Sequence, residues 1–219
     1  TITGWHTGYS DAPVRIVPES CRELPREKNT LLFLGELDKK FEQVCPRGVL
    51  KRVVNKAADM GFTAKMACEF EFFVFNETAD TVREKNYRNM TNISPGFFGY
   101  SMLRNSEFHE FYEEMLNLCK TMNFPLEGLH TETGPGVIEA AISYDDILIA
   151  ADKGALFKTY VKVLAKKWNR LATFMAKWSM EYPGQSGHLH MSLKDVDGNS
   201  AFYDKNNKET MSDTMRYFI

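Results

Sequence analysis

The length, composition and charge of the chain exclude several classes of protein. The 219 residues are 43% hydrophobic and 26% charged, which is typical of a globular protein with a substantial core. The net charge of −2 argues against nucleic acid or an anionic membrane as a main partner. No apolar run in the sequence reaches the length of a membrane span. The four cysteines lack metal-binding spacing, so we expect reduced, buried thiols in a cytoplasmic protein.

The predicted elements mix helices with strands that are mostly antiparallel. We predict strands over residues 14–17, 30–37, 65–75, 126–133, 137–143, 171–178 and 188–193. We predict a loop over 78–99 and helices from Pro46 to a stop at Gly61, from an N-cap at Ser106, and over 152–168. Gly134-Pro135-Gly136 predicts a tight hairpin. This order favours the α+β class, with a mostly antiparallel curved sheet packed with helices.

The strand over residues 65–75 carries two carboxylates where a core strand is expected to be apolar. Because side chains alternate across a strand, Glu69 and Glu71 share one face and lie roughly 7 Å apart. The opposite face is wholly apolar and consists of Met66, Cys68, Phe70, Phe72 and Val74. Two like charges on a half-buried strand repel each other, and a divalent cation between them offsets that repulsion. The alternative interpretation is that Glu69 and Glu71 are ordinary glutamates on a solvated strand face.

Polar side chains recur on the later predicted strands. Glu132 shares a face with His130, and the tight turn brings Glu139 of the following strand close to Glu132. One face of the last strand carries His188, His190 and Ser192, and the other, which we expect to be buried, carries Leu189, Met191 and Leu193. Three separate strand regions therefore offer polar ligands from an apolar background.

These residue types favour a site for divalent cations. Four carboxylates and a histidine suit Mg²⁺ or Mn²⁺, which prefer oxygen ligands. The absence of cysteine pairs in the sequence argues against structural zinc. One ion neutralises a carboxylate pair, so four carboxylates predict two ions, and paired divalent ions commonly serve phosphoryl transfer. The alternative, that these residues are solvated surface charges and not metal ligands, stays open, although it has to apply independently at every one of these positions.

Four motifs follow one another along the chain. They are Glu69-Phe70-Glu71-Phe72-Phe73, His130-Thr131-Glu132 through Gly134-Pro135-Gly136 to Glu139, Thr173-Phe174-Met175 with Lys177, and Gly187-His188-Leu189-His190-Met191-Ser192-Leu193. In order and spacing they resemble the glutamine synthetase family, including its γ-glutamyl-amine ligase relatives, over essentially the whole chain. The resemblance implies the glutamine synthetase/guanido kinase-like catalytic fold.

The resemblance implies two metal sites. Glu71, Glu132 and Glu139 match the ligands of a first metal ion, which helps to bind substrate and ammonia. Glu69 and His188 match two ligands of a second ion, which lies against the nucleotide phosphates. Mg²⁺ or Mn²⁺ is the implied metal at both sites.

The resemblance also implies substrate contacts. The positions that match ATP contacts are Glu127, His190, Met191 and Ser192. Gly184 aligns with a glycine whose backbone helps to hold glutamate, although residues 183–187 read Pro-Gly-Gln-Ser-Gly where the commoner family form is Asn-Gly-Ser-Gly-Met. No residue is assigned as catalytic.

The resemblance implies a division of the chain into two parts. Residues 1–35 correspond at most to a remnant of the family's N-terminal β-grasp domain, and residues 36–219 to the N-terminal part of the catalytic domain. Family residues of the later part, among them a further metal-ligating glutamate, have no counterpart in these 219 residues. We therefore expect the fragment by itself to be an inactive piece of an enzyme.

The implied reaction is ATP-dependent amide formation. The γ-carboxylate of glutamate is phosphorylated by ATP, and ammonia then displaces phosphate to give glutamine. The alternatives are a γ-glutamyl ligase whose acceptor is a polyamine or other amine, and a non-catalytic structural relative. The resemblance further implies a ring-shaped homo-oligomer.

Overall fold

The structure is a computed structural model and describes residues 4–219. These residues form two compact units. The first unit consists of the described residues up to 66, residues 145–149 and residues 191–219, and the second consists of residues 67–144 and 150–190. The helices are α1 (Pro46–Asp59), α2 (Ala79–Glu84), α3 (Met102–Glu107), α4 (His109–Thr121), α5 (Ile147–Lys167) and α6 (Asp213–Phe218). The strands are β1 (Val14–Glu23), β2 (Leu31–Leu37), β3 (Thr63–Phe75), β4 (Leu126–Thr131), β5 (Val137–Ile142), β6 (Asp145–Asp146), β7 (Leu171–Thr173) and β8 (Gly187–Lys194).

The prediction of an α+β fold with antiparallel strands is confirmed. In the second unit, β5 lies between β3 and β4 and is antiparallel to both, and β7 and β8 also pair with β3. In the first unit, β1 pairs with β2, and the start of β3 pairs with β6. Within the part of the chain that the structure describes, no helix combines the length and apolar character needed to cross a membrane.

The apolar face of β3 anchors the strand in the second unit. Phe72 is fully buried, and its ring lies 5.0 Å from that of Phe174 and 6.0 Å from that of Phe157 on α5. Phe70 stacks on the same Phe157 ring at 5.7 Å. Aromatic rings at these separations combine a large buried area with a fixed geometry. The opposite face of β3, with its two glutamates, is therefore held on a rigid support.

The predictions for residues 78–121 were partly wrong. Ser106 is not an N-cap, because the helix begins earlier, where the Ser101 hydroxyl accepts a hydrogen bond from the Arg104 amide. Ser106 lies inside that helix, and α4 starts only at His109. The predicted loop contains α2, which the Thr78 side chain caps. Both helices begin after a serine or threonine whose side chain caps the first turn, as is common at helix starts. Other serine and threonine residues lie nearby in the sequence, so the sequence does not identify which one is the cap.

The strand predicted over residues 171–178 was too long. The strand β7 ends at Thr173, whose side-chain oxygen accepts a hydrogen bond from the Met175 amide. Such a local bond offers the backbone an alternative to the sheet ladder. The strand predicted over residues 14–17 was too short, since β1 continues to Glu23.

Several side chains that we expected to be buried are exposed. Leu189 and Met191 on β8 are 60% and 41% exposed, and Cys21 is exposed whereas the other three cysteines are buried. Val53 on α1 and Met60, which follows the end of α1, are exposed along an apolar groove of about 750 Å³ within the first unit. Periodicity identifies the apolar face of a strand or helix, but burial also needs a second layer against that face.

A buried carboxylate stabilises the chain after β3. Glu77 is 2% exposed and accepts hydrogen bonds from the Lys85 ammonium, the Thr81 hydroxyl at 2.6 Å and the Thr91 amide at 2.7 Å. Burial by itself raises the pKa of Glu77, but these bonds and the charge of Lys85 outweigh it and lower the pKa to about 2. The charged form therefore stabilises the folded state.

We expect Glu77→Gln to reduce the free energy of unfolding at pH 7 by about 3 kcal/mol, because the folded pKa lies well below the unfolded one. The stabilisation is present above the unfolded pKa of 4.5 and is lost as the pH falls towards 2. Urea denaturation from pH 7 to pH 3 measures this. Glu84→Gln, at an exposed glutamate of α2, is the matched control. A Glu77→Gln deficit that does not shrink at low pH contradicts the assignment.

Candidate metal centre

The strand register aligns three candidate ligand side chains across the sheet of the second unit. Glu71 on β3 is directly opposite Glu139 on β5, and Glu139 is directly opposite His130 on β4. Directly paired residues of antiparallel strands project from the same face. The predicted hairpin is confirmed, and its turn returns the chain so that the Glu132 amide bonds the Val137 carbonyl at 3.1 Å.

The first cluster consists of His130, Glu132 and Glu139. One ligand atom from each lies within 4.8 Å of the others. The two nitrogens of the His130 ring each lie 4.0 Å from a carboxylate oxygen, Nδ1 from Glu132 and Nε2 from Glu139. The amide and hydroxyl of Thr133 both donate to Glu132 Oε1 at 2.8 Å and fix that carboxylate. Two carboxylates and an imidazole at this spacing fit a divalent cation.

The second cluster consists of Glu69, His188 and His190. The ring nitrogen Nδ1 of His188 lies 2.5 Å from Glu69 Oε1, and Nε2 of His190 lies 3.2 Å from Glu69 Oε2. These contacts lower the pKa of Glu69 and raise the pKa of His188, because each partner stabilises the charged form of the other. The cluster has the oxygen and imidazole ligands that Mn²⁺ and Mg²⁺ sites use.

The backbone of the segment leading into β8 lies against both Glu71 and Glu69. The Ser186 amide donates to Glu71 Oε2 at 2.9 Å, and the Glu71 amide donates to the Ser186 carbonyl at 3.1 Å. A side chain on Gly187 would lie 2.5 Å from the Glu69 carbonyl oxygen, so only glycine allows this approach. Glycine is also needed at position 184, since a Cβ added there would lie 2.9 Å from the Ala176 carbonyl oxygen.

The electrostatics of the site favour a bound cation. Burial raises the pKa of Glu139 to about 7, and the carboxylates of Glu69, Glu132 and Glu71 add to the shift. The part of this shift that comes from the three carboxylates reflects the negative charge that surrounds Glu139. A divalent cation coordinated by these oxygens would compensate that charge.

The structure brings most of the predicted metal ligands together in the second unit. Glu69, Glu132, Glu139 and His188 fall into the two clusters with His190, and Glu71 is the neighbour of Glu139. Glu127 is exposed and lies where the register of β4 shifts, outside both clusters. Met191 and Ser192 are exposed residues of β8 in the first unit. The ATP contacts predicted at Glu127, His190, Met191 and Ser192, and the glutamate contact at Gly184, stay predictions.

Two residues of the site were not assigned from the sequence. His130 completes the first cluster, and strand alternation had already placed it on the face of Glu132. The ring of Tyr100 lies 4.8 Å from the His130 ring. The neighbouring Glu132 carboxylate, with Glu139 and Glu71, raises the pKa of Tyr100 to about 12. Tyr100 lies in a segment without periodicity, so sequence reasoning had no signal that brings it to the sheet.

The chain is similar in sequence to known proteins. The sequence model of the family described as glutamine synthetase, catalytic domain, matches residues 43–219. Type-1 glutamine synthetase 2 of Dictyostelium discoideum is 38% identical over 100% of this chain and 42% of its own length. Glutamate–isopropylamine ligase of a Pseudomonas species is 32% identical over 100% of this chain and 48% of its own length. The chain thus spans less than half the length of either relative.

A solved structure shares the fold. The structure of apo GmaS without ligand superposes with a TM-score of 0.80 at 23% sequence identity, covering 93% of this chain and 47% of that chain. At this identity the likeness concerns the fold. The domain boundary predicted after residue 35 stays a prediction.

We expect calorimetric titration with Mn²⁺ to show binding that Glu132→Ala and His188→Ala each weaken at least about tenfold, because each change removes a ligand from one cluster. Glu113→Ala, at an exposed glutamate of α4, is the matched control and should bind Mn²⁺ like the wild type. Circular dichroism confirms folding of each variant. Equal Mn²⁺ affinity of all four folded proteins excludes these clusters as the metal centre.

Proposed function

Because the chain belongs to the glutamine synthetase family, we propose that its complete gene product is an ATP-dependent ligase that activates the γ-carboxylate of glutamate and amidates it. Ammonia is the simplest acceptor, and its product is glutamine. The observation that carries the proposal is the pair of carboxylate–histidine clusters on one sheet. The proposal concerns the complete gene product, since the chain covers 42% to 48% of the relatives it matches.

The proposed ligands of the two metal ions follow the two clusters. The first ion would be held by Glu71, Glu132 and Glu139, and His130 lies in the same cluster as Glu132 and Glu139. The second ion would be held by Glu69 and His188. Mg²⁺ or Mn²⁺ bound there supplies positive charge that neutralises phosphate oxygens. His190 contacts the same carboxylate as His188, which supports its proposed contact with the ATP phosphates. Glu127, Met191 and Ser192 for ATP, and Gly184 for glutamate, complete the proposed set.

The proposed reaction has two balanced steps. An oxygen of the γ-carboxylate bonds to the γ-phosphorus as the bond to ADP breaks, which gives γ-glutamyl phosphate and ADP. The amine nitrogen then bonds to the acyl carbon, inorganic phosphate leaves with the electron pair of the broken C–O bond, and the nitrogen loses a proton. The chain contributes rigid placement, since β3 is anchored by Phe72 and Phe157 behind its glutamates.

A second candidate is a γ-glutamyl ligase whose acceptor is an organic amine. One observation favours it: exposed aromatic side chains, Phe97 and Tyr100 among them, lie in the segment beside the first cluster. A non-catalytic relative is disfavoured, because Glu69, Glu132, Glu139 and His188 lie in the two clusters and Glu71 lies opposite Glu139. We further propose a ring-shaped homo-oligomer by analogy with the family, and a cytoplasmic location, since the four cysteines are free.

We expect the complete gene product to release phosphate from ATP only when glutamate, an amine acceptor and Mg²⁺ or Mn²⁺ are all present. Glu132→Gln should lower kcat at least about 100-fold, because Glu132 would hold the metal ion whose positive charge neutralises the phosphate oxygens. Glu113→Gln is the matched surface control. A wild-type protein that turns over no amine acceptor, or a fully active Glu132→Gln variant, contradicts the proposal.

A further inference from the structure

One buried polar side chain of the second unit has no partner. Gln185 is 6% exposed, and both the oxygen and the nitrogen of its side-chain amide are buried without a hydrogen-bond partner among the described residues. Buried amides in proteins are nearly always bonded, because an unmet amide destabilises the folded state. An apolar side chain of the same shape would avoid that cost. The stability of the fold therefore does not explain an amide at this position.

The main chain around Gln185 is fixed. Its backbone amide donates to the Ala176 carbonyl at 2.6 Å. The Ser186 amide, next along the chain, donates to Glu71 Oε2 at 2.9 Å, and the Glu71 amide donates to the Ser186 carbonyl at 3.1 Å. The side chain of Gln185 consequently projects from the same short stretch of backbone that holds the Glu71 carboxylate.

The side chain of Gln185 reaches the turn that follows Glu132. Its Nε2 atom lies 3.8 Å from the point that a Cβ on Gly134 would occupy. The amide and hydroxyl of Thr133 in this turn fix the Glu132 carboxylate, since both donate to its Oε1 at 2.8 Å. Gln185 thus adjoins both the backbone that holds Glu71 and the turn that holds Glu132, and these two glutamates are proposed ligands of the first ion.

Apolar side chains lie on the same side of Gly134 as the Gln185 amide. Phe73 Cε1 is 3.9 Å and Val137 Cγ2 is 2.9 Å from the same point beside Gly134, and both of these residues are buried. Neither can bond an amide, whereas the peptide groups of the turn can donate and accept. A buried amide without a direct partner commonly reaches such groups through one ordered water molecule. An amide can therefore link the two segments where a hydrocarbon side chain only fills space.

We propose that Gln185 is a positioning residue for the first metal ion. Through one ordered water molecule, its side-chain amide bonds to the peptide groups of Thr133 and Gly134, and this link sets the distance between the Glu71 and Glu132 carboxylates. Gln185 touches neither the ion nor the substrate and acts through the two glutamates. The inference rests on the proposed ligase function, because that function requires the ion.

The test is calorimetric titration of the complete gene product with Mn²⁺. Gln185→Met is the variant, because methionine is as long as glutamine and lacks the amide. It is combined with His188→Ala, which leaves the first site, and with Glu132→Ala, which leaves the second. With His188→Ala, we expect Gln185→Met to raise the Kd of the remaining site at least about tenfold, as is typical when a group that orients metal ligands is lost. With Glu132→Ala, it should leave the Kd within about twofold.

Urea denaturation without added metal separates positioning from a merely structural role. Gln185→Met should unfold at a urea concentration no lower than that of the wild type, because methionine leaves no buried amide unpaired. Gln43→Met, at an exposed glutamine of the first unit, is the matched control and should bind Mn²⁺ like the wild type.

The outcomes separate the inference from the function on which it rests. Equal losses of Mn²⁺ affinity in both combinations, unchanged affinity in both, or a lower urea midpoint for Gln185→Met overturns the inference and leaves the ligase proposal standing. A wild-type protein that binds no Mn²⁺ overturns both.

Discussion

Repulsion between carboxylates on one face of a sheet is the constraint on which the candidate site depends. Glu71 and Glu139 are direct neighbours across β3 and β5. Burial, together with the carboxylates of Glu69, Glu132 and Glu71, raises the pKa of Glu139 to about 7. A protein gains no stability from such an arrangement without positive charge beside it. Histidines supply part of that charge, and the oxygen-rich ligand set is suited to divalent cations for the rest.

The opposite face of the same strand explains how the repulsion is tolerated. Phe72 is fully buried, and Phe70, Phe157 and Phe174 pack with it into an aromatic layer behind the glutamates. The hydrophobic burial of these rings is large compared with one unfavourable charge pair. Gly187 then lets β8 approach the backbone of Glu69 closely, which brings the two histidines within reach. Rigid apolar support and close backbone approach together hold candidate ligands that would otherwise separate.

The same principles account for the errors of sequence reasoning. Ser101 and Ser106 are both plausible helix caps, and only the hydrogen bond to the Arg104 amide identifies the one that is used. Alternation placed Leu189 and Met191 opposite the histidines correctly, but it does not reveal whether another layer covers them, and both are exposed. The local sequence pattern thus predicted well which face of a strand each side chain occupies. It predicted poorly where helices and strands end and which side chains are buried.

The sequence by itself determined the ligand types, their strand faces and the hairpin. Glu69 with Glu71, Glu132 with His130, and His188 with His190 follow from the period of two, and Gly134-Pro135-Gly136 specifies the turn. Only the tertiary structure decided the pairing: that Glu71 lies opposite Glu139, that Glu69 contacts both histidines of β8, and that the Tyr100 ring lies 4.8 Å from the His130 ring. Periodicity is a property of one segment, whereas these contacts depend on strand register and on a loop without periodicity, which are set by packing between distant segments.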